Sequence, residues 1–71
     1  YLDAIAHLER AVALEPTVLV HHLELGFAYQ AAGRLTEARR HFLHGLDLPS
    51  REKHDDSAKA RARRALAQLT S

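Results

Sequence analysis

Residues 22–50, HLELGFAYQAAGRLTEARRHFLHGLDLPS, set large and small side chains at a spacing that decides the fold. Leu25, Gly26 and Tyr29 come first, then Gly33, then Ala38, Phe42 and Gly45, with Pro49 and Ser50 closing the run. The preceding stretch repeats the second half of this pattern 34 residues earlier. Ala4 aligns with Ala38, Leu8 with Phe42, Ala11 with Gly45, Leu14 with Leu48, Pro16 with Ser50, and Asp3 with Glu37. A period of that length, with a helix–turn–helix in each unit, is the signature of a helical solenoid. The fold expected is therefore all-α: antiparallel helical hairpins stacked into an α–α superhelix, of which this chain is a fragment.

Working outward, residues 1 to about 14 read as a helix. Leu2, Ala4, Ile5, Leu8, Ala11 and Val12 supply an apolar stripe at three- and four-residue spacing. Glu15-Pro16-Thr17 ends it, since proline disfavours a helical residue before it, and Thr17 is placed to cap the next helix. That helix spans about 18 to 32, with Gly33 suited to the left-handed position beyond its end. Thr36 is expected to cap a third helix reaching about Asp47, with Glu37 near its positive end. A charged connector follows from Leu48 to Asp55. The last helix, about Asp56 to Leu69, opens on Asp55 and Asp56. Its register departs from the 34-residue period, because Lys59 and Arg63 stand where a large apolar residue and a tyrosine are due. Ala58, Ala62, Ala65, Leu66 and Leu69 form a narrow apolar stripe instead. The helix reads as a solvating C-terminal cap.

At residues 22–50 the chain resembles a tetratricopeptide repeat, whose pattern is Trp-x2-Leu-Gly-x2-Tyr, then Ala-x3-Phe, then Pro. Here it reads His22-x2-Leu25-Gly26-x2-Tyr29 and Ala38-x3-Phe42, with Pro49 one residue early. The departures are His22 for Trp, Gly45 for the usual Ala, and Ser50 at the proline place. The resemblance divides the single 1–71 domain into the second helix of one repeat (1–16), one complete repeat (17–52) and a capping helix (53–71). It also implies a concave face built from the first helix of the unit, with Val20, Leu23, Phe27, Gln30 and Ala31 as the groove that binds a partner. The Lys, Asn and Arg clamp that some chaperone-binding members use for a C-terminal carboxylate has no counterpart at these positions.

Composition narrows the function. The 71 residues include no cysteine, which excludes a disulfide framework, thiol chemistry and a cysteine-based zinc site. No apolar run approaches the ~20 residues that span a bilayer, so no membrane partner is expected. Tyr1 stands inside a helical pattern, and the chain reads as a piece of a longer protein. The net charge of +1 is unevenly placed. Residues 1–50 carry four basic and six acidic side chains, whereas residues 51–71 carry six and three. His41 and His44 lie three apart and could share a metal ion, but only Glu37 stands near them in helical spacing. His7 and His41 read as solvated surface groups and His22 as a half-buried ring. No phosphate loop, activated nucleophile or converging carboxylate pair is present, so neither enzyme nor cofactor is expected.

Three functions remain. The first is a protein–protein interaction scaffold that takes a peptide or amphipathic helix on the concave face. The second is self-association, a homodimer formed through the uncovered stripe of Leu2, Ile5 and Val12. The third and weakest is nucleic-acid contact through Lys59, Arg61, Arg63 and Arg64, which no aromatic residue interleaves. A cytoplasmic setting is the expectation for all three.

Overall fold

Proline and glycine fix where the helices stop. The computed structural model describes residues 2–70, which run as α1 (Leu2–Leu14), α2 (Leu19–Ala31), α3 (Leu35–Asp47) and α4 (Asp55–Thr70), with no strand among the described residues. The fold is all-α and built of helical hairpins. Pro16 lies in the α1–α2 turn. At the end of α2, Gly33 has φ +80°, its N–H bonds Gln30 O at 3.0 Å, and Arg34 N–H bonds Tyr29 O at 2.9 Å. This is a Schellman ending, whose left-handed residue glycine takes without a Cβ penalty.

α2 is the central element. It packs on α1, α3 and α4, whereas among the described residues α1 packs on α2 alone. A helix surrounded in this way must be apolar on several sides, and Leu19, Leu23, Leu25, Gly26 and Tyr29 are all buried. α3 meets α2 with the stripe Ala38, Phe42 and Gly45, also buried. The two helices exchange glycines for large side chains. A Cβ on Gly26 would stand 2.7 Å from Cδ1 and Cε1 of Phe42. One on Gly45 would stand 2.6 Å from Cδ2 and 2.9 Å from Cγ of Leu23. Each glycine therefore forms the floor of a socket for the opposite side chain.

Several local expectations are corrected. Thr17 and Thr36 cap neither helix. Val18 and Arg34 occupy the N-cap positions, without a side-chain cap hydrogen bond. Thr17 falls one residue too early and Thr36 lies inside α3. The N-terminus of α3 is instead served by Glu37 in its first turn, paired with Arg34 at 2.7 Å. His22 is buried rather than half-buried.

The α4 register is shifted rather than lost. Its buried residues Asp55, Ala62 and Ala65 match the buried Leu19, Gly26 and Tyr29 of α2 at a constant offset of 36. The longer connector before α4 displaces the whole pattern, and small alanines take the places of larger residues.

The glycine sockets give a direct test. Gly26→Ala adds a methyl group against a buried ring, a strain of about 1–3 kcal/mol. Better helix propensity returns about 1 kcal/mol. A net loss near 1 kcal/mol lowers Tm by about 4–8 °C in a chain of this size. Gly33→Ala meets no atom within 4 Å. It loses about 1–2 kcal/mol from the left-handed backbone alone. Thermal unfolding followed by circular dichroism checks both. An unchanged Tm for Gly26→Ala would contradict the socket geometry.

Candidate functional site

One turn-repeat of α2 faces outward into a cleft. Val20, Leu23, Glu24 and Phe27 stand at i, i+3, i+4 and i+7, so they share one helix face. Leu8 of α1 and the Ala58–Arg61 pair of α4 complete the walls of a cleft of about 330 Å³. Leu23 is wholly buried and forms its floor, while Leu8, Val20 and Phe27 stay partly exposed. The Phe27 ring meets Phe42 edge-on, with centroids 4.9 Å apart at 72°, which ties the cleft wall to the core. The Arg61 guanidinium lies 5.2 Å from the centroid of the Phe27 ring. The cleft thus has apolar walls, one cation held over an aromatic ring and one carboxylate, Glu24. Gln30 and Ala31 are outside its lining.

The residues missing from the sequence reading of this surface are Leu8, Ala58 and Arg61. Leu8 aligns with the core residue Phe42, and Arg61 read as one of several solvated cations. Only the packing of α1 and α4 beside α2 brings them together. No periodicity in the sequence carries that information.

A second cluster joins α2 to α3. The rings of His22 and His44 stack with centroids 4.2 Å apart at 15°, and those of Tyr29 and His41 with centroids 5.4 Å apart at 12°. His41 also stands 6.4 Å from His22. His41 is therefore half-buried against α2, which corrects its reading as a solvated group: the side of α3 beside Phe42 still faces Tyr29. His22 Nε2 lies 2.8 Å from the Pro16 carbonyl, and its Nδ1 is buried without a partner. The Tyr29 hydroxyl donates to Glu9 Oε2 at 2.9 Å, fastening α1 to α2. Burial first, then this bond to a carboxylate, raises the Tyr29 pKa above 10.0 and keeps the hydroxyl protonated. Ring nitrogens bind metal in the plane of the ring, so stacked faces do not aim them at one point. Among the described residues, no group of three or more histidines, cysteines or carboxylates is arranged to hold a metal ion.

Asp55 closes the α3–α4 connector. It is buried, and its Oδ2 accepts N–H bonds from Arg51 at 2.8 Å and Glu52 at 2.9 Å. Those two bonds hold its carboxyl below the usual range, with Lys59 and His54 adding smaller contributions against burial. A smaller cleft of about 140 Å³ beside it is lined by Thr17, Val18, Leu19, Arg51 and Glu52 as well. The chemistry of Asp55 is accounted for by these backbone bonds.

Compared with known proteins, residues 1–70 match the family model of regulator of microtubule dynamics protein 1–3. The chain belongs to that family. This membership overturns the tetratricopeptide assignment of residues 22–50. The alternation of large and small residues there reports how two helices pack, and that packing is present. It does not report descent. Neither the curated proteins nor the solved structures compared with the chain include a match. No helix among the described residues is long and apolar enough to cross a membrane.

The ring cluster makes stability depend on pH. Burial first, then the charges of His22 and Arg40, lower the His41 pKa below 6.5, with Glu9 opposing. Folded His41 is therefore neutral where the unfolded chain has begun to take up a proton. Its contribution is full above about 6.5 and is lost as pH falls toward the folded value. The Asp55 contribution disappears in a separate, more acid window, below about 3.8. The urea midpoint of the native chain should fall between pH 7.5 and 5.5, and His41→Phe should flatten that slope. An equal slope in the variant would remove His41 as its cause.

Proposed function

We propose that this chain is a protein-interaction module, not a catalyst, and that it serves microtubule regulation by taking a partner's peptide or helix in the α1–α2–α4 cleft. The observation carrying this reading is the cleft itself. Leu8, Val20 and Phe27 remain accessible around a buried floor, and a contiguous apolar recess rimmed by charge is the usual form of a peptide-binding site. The family description supplies the microtubule context. Phe27 is the expected anchor, because its ring is already fixed by Phe42 on one side and Arg61 on another. A wall fixed before binding spends little side-chain entropy when a partner arrives.

A second reading rests on α1. The stripe expected to be uncovered is not: Ile5 is buried and Val12 partly covered where α1 packs on α2, while Leu2 and Leu14 are 74% and 75% exposed. Apolar groups so open on one helix suit contact with a second copy, and a homodimer through α1 is the alternative to a monomeric binding module. The two readings use different surfaces.

Co-sedimentation with polymerised tubulin tests the first. The native chain should pellet, and Val20→Glu, which places a charge on the cleft wall, should weaken binding roughly tenfold. Leu43→Glu, on an exposed side of α3 away from the cleft, should have no effect. Equal pelleting of the native chain and Val20→Glu would exclude the cleft as the contact site. Light scattering across a concentration series tests the second reading: a micromolar dimer that Leu14→Glu dissolves would establish the α1 interface, and a monomer throughout would remove it.

A further inference from the structure

The exposed arc of α4 is one-signed. From Ser57 to Gln68 it carries Lys59, Arg61, Arg63 and Arg64 and no acidic residue. Lys59 is engaged electrostatically with Asp55, one turn before it. The three arginines are different. No carboxylate of the described residues pairs with Arg61, Arg63 or Arg64, and all three are exposed. Arg61 and Arg64 are three apart and share a helix edge, and Arg61 also lines the cleft. The basic surface and the apolar cleft therefore meet at a single residue. Arg61 stands over the Phe27 ring, a placement that leaves the rim of its guanidinium, with five N–H donors, open to solvent.

We propose that the arginine edge of α4 and the adjoining cleft form one recognition surface for an acidic peptide segment carrying an apolar anchor. Its carboxylates would pair with Arg61 and Arg64, and its anchor would rest among Leu8, Val20 and Phe27. The inference builds on the cleft as the binding site and specifies the chemistry of what enters it. Charge complementarity selects an acidic partner, because bidentate pairing of arginine with carboxylate is directional as well as favourable. The neighbouring cleft selects a peptide over a nucleic acid. A sugar–phosphate chain has no apolar anchor to place there, and no aromatic residue interleaves with the α4 cations to stack a base.

Fluorescence anisotropy on the full chain, with short labelled synthetic peptides, tests the proposal. A glutamate-rich peptide with a central Phe-Leu pair should bind at low salt and weaken as salt rises. Replacing its glutamates by glutamines should reduce affinity about tenfold or more, and the exposed substitution Arg64→Glu should weaken binding severalfold. Removing its Phe-Leu pair should also weaken it, and Val20→Glu should do the same from the protein side. Equal binding of the glutamate and glutamine peptides would overturn the proposal, as would no binding of either. A single-stranded oligonucleotide binding more tightly than the acidic peptide would overturn it in favour of a phosphate-binding surface. Circular dichroism of the Arg64→Glu variant guards against misfolding. Failure here, with Val20→Glu still losing tubulin pelleting, would leave the cleft as the site and remove only the acidic partner.

Discussion

Across the α2–α3 contact, Gly26 receives the Phe42 ring and Gly45 receives Leu23, and neither socket has space for a methyl group. The helices can therefore be neither pushed closer nor eased apart without losing the fit that fixes them. Phe42 and Leu23 are both fully buried, and each also serves a second neighbour. Phe42 braces the Phe27 ring in the cleft wall, and Leu23 is the cleft floor. The cleft is thus the outer side of the same packing that makes the core. Protein interiors pack at crystal-like density, so a change inside is felt at the outer surface.

The ring cluster depends on the same contact. Once α2 and α3 are held at that separation, Tyr29 and His22 come to lie beside His41 and His44, and four rings pair across the boundary. This explains a mixture uncommon in so small a core. His22 is nearly wholly buried with one nitrogen bonded to the Pro16 carbonyl and the other unpartnered. Aromatic contact offsets part of the cost of burying that nitrogen. α4, by comparison, presents basic side chains beyond a first turn in which Asp55 and Asp56 suit the helix dipole.

What was legible in the sequence follows from what local chemistry determines. Pro16 and Gly33 marked helix ends because each restricts the backbone by itself, and the glycines of the α2–α3 contact were visible as small residues in a periodic stripe. The caps were misread because a threonine caps only when its hydroxyl meets a free N–H. A shift of one residue, as at Thr17, abolishes that. His41 read as solvated because helix geometry gives its direction but not what stands there. Arg61 was grouped with other cations for the same reason. The packing pattern of residues 22–50 gave the hairpin and misled as to family, since helices that pack alike need not share ancestry. Val20, Leu23 and Phe27 are brought together in one cleft, while Gln30 and Ala31 lie beyond it.

Among the described residues, α1 is attached to the rest through α2 alone, with Ile5 as its one buried residue and the Tyr29–Glu9 hydrogen bond as a polar fastening. Detaching it breaks a single interface and leaves the α2–α3–α4 core intact, so its backbone amides belong to the lowest-energy opening of the molecule. Leu8 travels with it. The cleft therefore has two fixed walls and one on a hinge, and its width is set by the least secured helix of the fold.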